Sequence, residues 1–576
     1  MTHPPFVLLV PMLLSAACHD DSPGDLSPTA TEPRDWRDEI IYQLITDRFA
    51  NGDPQNDDGA DLSCSECVHG GDWRGIIDKL DYLEALGVTA IWLSPLVANI
   101  DSPIGKQAYH GYWPLALDRP NPHFGSLADL QALVDACHGR GLKVIADVIV
   151  NHMGPVAFYD INGNGAADIV GVSGSPANEL SPPYRVDGVL NQAGTALASF
   201  IFFAERADGG ALVSPALFRN ASAYHRRGTI IDYNDGSQVL TGDFKDGLRD
   251  LDTSRPEVQT ALEEATLFWT DVAPFDGFRY DAAKHVEDTV WQRILPRVRE
   301  HRGPMPPADD GFFQFAEVFD GRSDYLATFT RADMFDSVLD FGTTFQVFDE
   351  VFKYGGPTSR VAEAYAAKEA AFQAEPQVGG IRAAPRRALV RFIDNHDLPR
   401  FLSENPDVRA LRAALAYLLL TDGVPVIYYG TEQELAGGVD PANREDLWST
   451  GYDQSRPTFT WLHRLAALRK SCGALRHGDT RFVWTSAHTS NETDAGILAF
   501  ERTTAAERIL VVINTHSSKT SSTAYLGEVM QVGFAPGALL TDLLEGAAAP
   551  LTVAQDGTLE IAVEPYGVVV LSDAGR

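Results

Sequence analysis

From about Trp36 onward, short runs of β-branched and aromatic residues alternate with longer stretches whose apolar positions recur at helical spacing. Eight such runs are bounded by turn residues: Ile40 to Ile45, Ala90 to Leu93, Val144 to Val148, Gly277 to Tyr280, Phe313 to Ala316, Val338 to Asp340, Leu389 to Ile393 and Val424 to Tyr428. Strands separated by amphipathic helices predict parallel pairing through crossover connections, and eight such units predict a closed α/β (β/α)8 TIM barrel. About 130 residues separate the third run from the fourth, far more than one helix needs, and they are rich in Gly, Asn, Pro and Asp. An inserted subdomain is therefore expected after strand 3. Beyond the helical stretch from Phe459 to Lys470 the pattern changes to short alternating runs, among them Ile497 to Glu501, Ile509 to Asn514 and Gly567 to Leu571. These predict a C-terminal antiparallel β-sandwich domain. The expected division is a signal peptide at 1–17, a linker at 18–35, the first part of the barrel at 36–152, the insertion at 153–246, the second part of the barrel at 247–474 and the β domain at 475–576. No tandem repeat is evident, which sets solenoids and propellers aside.

The first residues carry a different pattern. An apolar stretch from Phe6 to Ala17 ends in Ser15-Ala16-Ala17-Cys18, and a polar tract with several prolines follows from His19 to Arg34. This predicts export, with cleavage before Cys18 and a lipid on the new terminal cysteine, so the expected location is extracellular or anchored to the bacterial envelope. No other run of 18 apolar residues offers a membrane span. With Cys18 lipidated, Cys64, Cys67, Cys137 and Cys472 remain. Cys64 and Cys67 also fit half a zinc site or a redox pair, but neither a second cysteine pair nor a βαβ context accompanies them, so a local disulfide is the better reading. Cys137 falls in phase with Leu127, Leu130 and Val134 and reads as a small buried hydrophobe, as does Cys472.

Charge narrows the partners. Against 79 Asp and Glu stand 46 Lys and Arg, a formal net charge of −33, which argues against nucleic acid and anionic membranes and favours a neutral or cationic substrate. No protein partner is implied, and a monomer is expected.

In a (β/α) barrel the C-terminal ends of the strands carry the chemistry, and four of them are loaded here. The third ends Asp147-Val-Ile-Val-Asn151-His152, the fourth Gly277-Phe-Arg279-Tyr-Asp281-Ala-Ala-Lys284-His285, the fifth Phe315-Ala-Glu317, and the seventh Phe392-Ile-Asp-Asn-His396-Asp397. Asp281, Glu317 and Asp397 thus converge from separate strands. Arg279 sits two residues before Asp281 on the same face of its strand, placed to keep that carboxylate ionised. The like charges of Asp281 and Asp397 would raise the pKa of Glu317, which suits an acid beside a base.

With these motifs the chain resembles the α-amylase family, glycoside hydrolase family 13. The resemblance runs from about Asp38 to the C-terminus and includes Leu86-Gly-Val-Thr-Ala-Ile-Trp-Leu-Ser-Pro95, Tyr109-His-Gly-Tyr-Trp113 and Gly423-Val-Pro-Val-Ile-Tyr-Tyr-Gly430. It implies retaining, endo-acting hydrolysis of internal α-1,4 bonds in starch-like α-glucans, with Asp281 as nucleophile, Glu317 as acid/base and Asp397 as transition-state stabiliser. It further implies sugar-holding roles for Tyr112, His152, Arg279, His396, Asp440 and Arg444, with Lys284 and His285 on the acceptor side. Calcium is the implied cofactor, as one to three structural ions. One would lie between barrel and insertion on Asn151, Asp250 and the carbonyl of His285. A second loop, Asn51, Asp53, Asn56 and Asp57 with Gly70 and Asp72, resembles the N-terminal calcium site of cyclodextrin glucanotransferases. A third candidate, Asp160 to Asp168, places oxygen ligands at alternate positions like an EF-hand loop, but has Gly171 where the twelfth-position acid belongs. Those transferases usually carry a large aromatic shortly before the equivalent of Asp250, where this chain has Lys245 or Asp246, and they usually carry further starch-binding modules. Both departures favour hydrolysis, whereas Phe319 matches an acceptor-side aromatic of the transferases and favours the alternative, an α-glucanotransferase or a cyclodextrin- or maltooligosaccharide-acting enzyme of the same family. A catalytically inactive glucan-binding relative is disfavoured because the carboxylate set is kept.

Overall fold

The computed structural model describes residues 35–573 except 102–105, 167, 169–180, 203–212, 304–310 and 545–548. The predicted export segment, Cys18 and Gly171 lie outside the described residues.

The eight predicted runs form one parallel sheet: β1 (Ile41–Leu44), β2 (Ala90–Leu93), β3 (Lys143–Val148), β4 (Gly277–Tyr280), β5 (Phe313–Ala316), β6 (Ser337–Val338), β7 (Val390–Arg391) and β8 (Val424–Tyr428). Their order is β6-β5-β4-β3-β2-β1-β8-β7. A parallel bridge between Leu339 and Val390 joins the two ends and closes the barrel. Alternate residues of each strand point inward, so Ile41, Trp92, Ile145, Phe313, Phe315, Val390, Val424 and Val426 fill the interior as one buried cluster. Trp36 belongs to the same cluster, and its indole N–H donates to the Gly311 carbonyl at 3.0 Å. The outward residues pack against the surrounding helices in a second, larger core. β7 is shorter than its apolar run, because Phe392 and Ile393 leave the ladder to begin a loop at the barrel's upper rim.

Between β3 and β4 the chain builds a separate layer. Ala157–Asp160 pairs antiparallel with Ser199–Phe202, and His152–Met153 with Arg249–Asp250. The second pairing places His152 opposite Asp250 and so brings the far end of the insertion back to the rim of β3. Cys64 and Cys67 form a disulfide with a Cα separation of 5.3 Å, while Cys137 and Cys472 lie buried in the core outside that disulfide.

The C-terminal domain is a six-stranded antiparallel sheet built from β9 (Asp479–Thr485), β10 (Ile497–Thr503), β11 (Arg508–Asn514), β14 (Leu539–Asp542), β15 (Leu551–Thr552) and β16 (Val568–Asp573), in the order β9-β10-β11-β16-β14-β15. Short strands cover one face, including the hairpin β12 (Ala524–Tyr525) and β13 (Glu528–Val529). Met530, Val532, Phe534 and Ile561 meet Ile497, Leu510, Val512 and Leu571 across a core of their own. Among the described residues, no helix is long and apolar enough to cross a membrane.

Candidate active site

The loaded strand ends meet in one cleft of about 270 Å³, whose walls include Tyr112, His152, Asp281, Glu317, His396 and Asp397, together with Lys284, His285, Asp440 and Arg444. Every residue expected from the sequence to act on or hold the sugar lines it except Arg279, which lies beneath. Arg279 and Asp147 are register partners on β4 and β3, so both point into the barrel from adjacent strands. The Arg279 Nη1 group donates to Asp147 at 2.8 Å and to Asp281 Oδ1 at 2.9 Å, and Nη2 donates to Glu317 Oε2 at 2.6 Å. One fully buried guanidinium is therefore shared by three carboxylates. The amide of Ala282, a residue held at φ +49°, adds a bond to Glu317 Oε2 at 3.0 Å.

This sharing alters the expected electrostatics. Burial pushes the Asp281 carboxyl well above its ordinary range, Arg279 opposes the push, and Glu317 and Asp147 reinforce it. Burial likewise raises Asp147 and Asp397, against the pull of Arg279 on both and of Arg444 on Asp397. With one cation among three carboxyl groups, Asp147 and Asp281 hold their protons to higher pH than isolated carboxylates do.

Tyr112 donates its hydroxyl to Asp147 Oδ2 at 2.9 Å and stacks flat on the His396 ring, centroids 4.9 Å apart and planes 6° from parallel. Gln43, at the inward position of β1, faces His396 Nδ1 at 2.8 Å, and the other ring nitrogen of His396 lies 3.2 Å from Asp397 Oδ2. If the Gln43 amide is the donor, the imidazole proton sits on Nε2, toward the cleft. His152 Nε2 meets the Tyr112 carbonyl at 3.0 Å. Burial lowers His152 to about 4 and His285 to about 3, and drives His396 well below its usual value. All three rings are thus neutral near pH 7. Arg444 ties Asp440 at 3.0 Å to Asp397 at 3.5 Å. At the edge of the cleft Lys284 donates to the Phe319 carbonyl at 2.8 Å. Asp246 also lines the cleft, and the ring that enters beside it is Phe244, packed edge-on against His152 and His285.

The sequence assigns no role to Gln43, Trp92, Asp147 or Phe244. Inward parity with Ile145 is the one signal that points to Asp147, whose Oδ2 also accepts from Trp92 Nε1 at 3.0 Å. Gln43 has only its place at the end of β1.

Among the described residues no three His, Cys, Asp or Glu side chains are grouped to hold a metal, so any cation must rest on amide and carbonyl oxygens as well. The first expected site passes that test, because Asn151 Oδ1 and Asp250 Oδ1 are both enclosed without a hydrogen-bond partner. The other oxygen of Asp250 meets His225 Nδ1 at 2.6 Å. At the second site Asn56 Oδ1 and Asp57 Oδ1 are similarly enclosed. Gly70 is left-handed there, and a Cβ would come within 2.5 Å of Asp57 Oδ1. Asn51 donates to Asp57 at 2.7 Å, Asp53 pairs with Arg74 at 3.0 Å, and Asp72 accepts the amides of Gly52, Asp53 and Gly75. The third loop is self-satisfied. Asp160 accepts from the amides of Gly163, Asn164 and Gly165, and Asp168 from those of Ile161 and Asn162.

Comparison with known proteins agrees with this architecture. The profile of the alpha amylase catalytic domain matches residues 43–178 and 220–468. A cyclomaltodextrin glucanotransferase of Geobacillus stearothermophilus is 31% identical over 508 residues, an alignment covering 86% of this chain and 62% of that enzyme, so this chain spans less than two thirds of its length. Alpha-amylase 1 of Schwanniomyces occidentalis is 27% identical over 95% of this chain and 93% of its own. Among solved structures, an Anoxybacillus alpha-amylase superposes with a TM-score of 0.72 at 27% identity, covering 94% of this chain and 99% of that one. CldA, a cyclomaltodextrin glucanotransferase with a three-domain ABC distribution, superposes with a TM-score of 0.71 at 28% identity, covering 93% and 99%. By its catalytic-domain match, its relatives and its fold, the chain belongs to the α-amylase family, glycoside hydrolase family 13.

Proposed function

We propose that the chain is a retaining, endo-acting hydrolase of α-1,4 bonds in starch-like glucans. The observation that carries this reading is the single guanidinium of Arg279 bonded to both Asp281 and Glu317. Two carboxyl groups held on the two ends of one guanidinium are close enough for double displacement, which needs about 5 to 5.5 Å rather than the about 6.5 to 9.5 Å that leaves room for a water in inversion. Glu317 gives its proton to the glycosidic oxygen as that bond breaks, and Asp281 attacks the anomeric carbon to form a glycosyl ester. Glu317 then takes a proton from water, whose oxygen displaces Asp281 with the α configuration restored. Asp397 favours the positive charge of the oxocarbenium-like transition state over the neutral substrate. Tyr112, His152, His396, Asp440 and Arg444 position the sugar at the cleavage subsite, and Lys284 and His285 flank the acceptor.

Hydrolysis is favoured over transfer by Asp246, a carboxylate on the acceptor side that attracts water rather than stacking a sugar ring. The size of the chain supports neither outcome, since CldA, a glucanotransferase, also has three domains. Phe319 supports the second reading, α-glucanotransfer: its ring is 41% exposed at the acceptor rim.

Calcium belongs to the proposal. Asn151, Asp250 and the His285 carbonyl would hold one ion, and the Asn51 to Asp72 loop a second, through hard oxygen ligands. Bound there, the ion would tie the insertion to the barrel and take no part in bond cleavage. Export is also part of the reading, and the Cys64–Cys67 disulfide supports it as a feature of oxidising compartments. The test is a product time course from soluble starch and maltoheptaose, comparing wild type with Glu317→Gln. Short linear α-configured maltooligosaccharides, lost in the variant, are expected. Cyclic or lengthened products would replace hydrolysis by transfer, and no turnover by wild type would sink the reading.

A further inference from the structure

The C-terminal domain carries a groove of about 760 Å³, within the range of about 300 to 1,000 Å³ common for small-molecule sites. Val483, Trp484 and Thr485 of the edge strand β9 form one wall, and Tyr525 and Glu528 of the β12–β13 hairpin form the other. His488, Asp494, Gln531, Asp556 and Thr558 complete it.

Two departures from regular backbone occur at this groove. β9 pairs in register with β10 as far as Phe482, opposite Phe500, then skips Val483, so that Trp484 faces Ala499. The bulge puts two consecutive residues on one side: Val483 and Trp484 both pack on the sandwich core, while Phe482 faces the barrel. Bulges at sheet edges serve to re-aim side chains, and the side chain re-aimed here is a half-buried tryptophan whose Nε1 has no hydrogen-bond partner. The second departure is the turn of the hairpin opposite. Leu526 and Gly527 take φ of +50° and +91°, and in such two-residue turns the first position favours Asn, Asp or Gly. A leucine held left-handed there, 86% exposed, gains nothing for the fold.

The chemistry of the lining selects the ligand. Three rings, Trp484, His488 and Tyr525, offer flat apolar faces, the last two 4.5 Å apart and tilted by 43°. His488 is held by Asp494 at 2.9 Å. Among the described residues that line the groove none is Lys or Arg, while Asp494, Glu528 and Asp556 supply carboxylates. That balance repels phosphate, sulfate and nucleic acid. It suits a neutral polyol, whose C–H faces stack on rings and whose hydroxyls donate to carboxylate and amide oxygens. We propose that this groove is a second, non-catalytic site that binds a short stretch of α-glucan chain, an inference that rests on the α-glucan reading of the cleft. Engaging a polymer at two points raises its effective concentration at the cleft, an advantage that short oligosaccharides cannot share.

The test separates the two sites. Wild type, Trp484→Ala and Tyr525→Ala, each also carrying Glu317→Gln to stop turnover, are run in native gels containing amylopectin. The catalytically intact versions are assayed on maltoheptaose. Loss of about fivefold or more in polymer affinity, with maltoheptaose turnover within about twofold of wild type, is the expected result. Tyr525 lies on the hairpin outside the sandwich core, so its variant decides the matter if Trp484→Ala does not fold. Wild-type retention in the gel by Tyr525→Ala, with maltoheptaose still cleaved, overturns the groove alone. Failure of the wild-type protein to bind or cleave any α-glucan overturns the groove and the catalytic reading together.

Discussion

The two ends of the barrel each bury a charge cluster, and the clusters are built in opposite proportion. At the upper rim the guanidinium of Arg279 serves Asp147, Asp281 and Glu317. At the lower end, between the helix Val408–Leu420 and β8, the carboxylate of Asp422 faces Lys368 at 2.8 Å, Arg391 at 3.3 Å and Arg387 at 3.4 Å. Burial raises every carboxyl pKa, so the sign of the outcome depends on neighbours. Asp281 is pushed well up, whereas Asp422 is held far below the usual carboxylate range because Lys368 and Arg391 outweigh its burial. The lower cluster is arranged for stability. The upper one gathers more carboxyl groups than its single cation can balance, which disfavours the folded state and, under the proposed function, would favour a cationic transition state.

Four experiments bear on this contrast, and the largest effect is expected at the upper end. Asp281→Asn should lower kcat on maltoheptaose by about 10³-fold or more while leaving the fold intact, as read by circular dichroism. A variant that keeps a tenth of wild-type activity would remove Asp281 from the nucleophile's role.

Next comes the lower cluster. Asp422→Asn leaves buried cations without their counter-charge, so urea unfolding should show a loss of about 3 to 5 kcal/mol. Its kcat at 25 °C should stay near that of wild type. If activity fell as far as in Asp281→Asn, the two ends would not be separable.

Chelation probes the rim beyond the cluster. Because Asn151 Oδ1 and Asp250 Oδ1 have no partner, calcium at about 100 times its dissociation constant should add about 2.7 kcal/mol, and a chelator should remove it. Asn151→Ala should lose most of that response, measured by differential scanning calorimetry with and without calcium. An equal response in the variant would move the ion elsewhere.

The smallest effect is a matter of sign. Asp281, raised in the fold, binds more protons folded than unfolded, so it lowers stability as pH rises above about 4 toward its folded value. Asp422, depressed in the fold, adds stability that is complete above about pH 4 and lost as pH falls through its folded value. Asp281→Asn should therefore gain about 1 kcal/mol at pH 7 and flatten the decline at higher pH. Asp422→Asn should flatten the loss at acid pH. Stability profiles that shift the other way in either variant would break the contrast.

Much of this was readable before any coordinates. Parity and spacing located all eight barrel strands, four of them to the residue, because a strand buried on both faces reads as an apolar run between turn residues. The motif ends on β3, β4, β5 and β7 placed Asp281, Glu317 and Asp397 on one rim, since a closed parallel barrel sends every strand end to the same side. The order of motifs pointed to the family that the catalytic-domain match then showed.

Other features depend on pairs of residues far apart in the chain. Nothing in the sequence places Arg279 in register with Asp147, 132 positions away, or reveals that one cation serves three carboxylates. Without that count, Asp281 reads as a carboxylate kept ionised by its own arginine, and the collective push upward is invisible. Gln43 against His396 and Phe244 beside Asp246 depend in the same way on which strands and loops become neighbours. The loops proposed to hold cations divide on the same ground. Asp160 to Asp168 has the right spacing, yet its own amides satisfy its carboxylates, whereas Asn151 and Asp250, 99 residues apart, meet with oxygens left over. A linear pattern records which face each side chain takes; charge balance and unmet hydrogen bonds arise only when those faces close on one another.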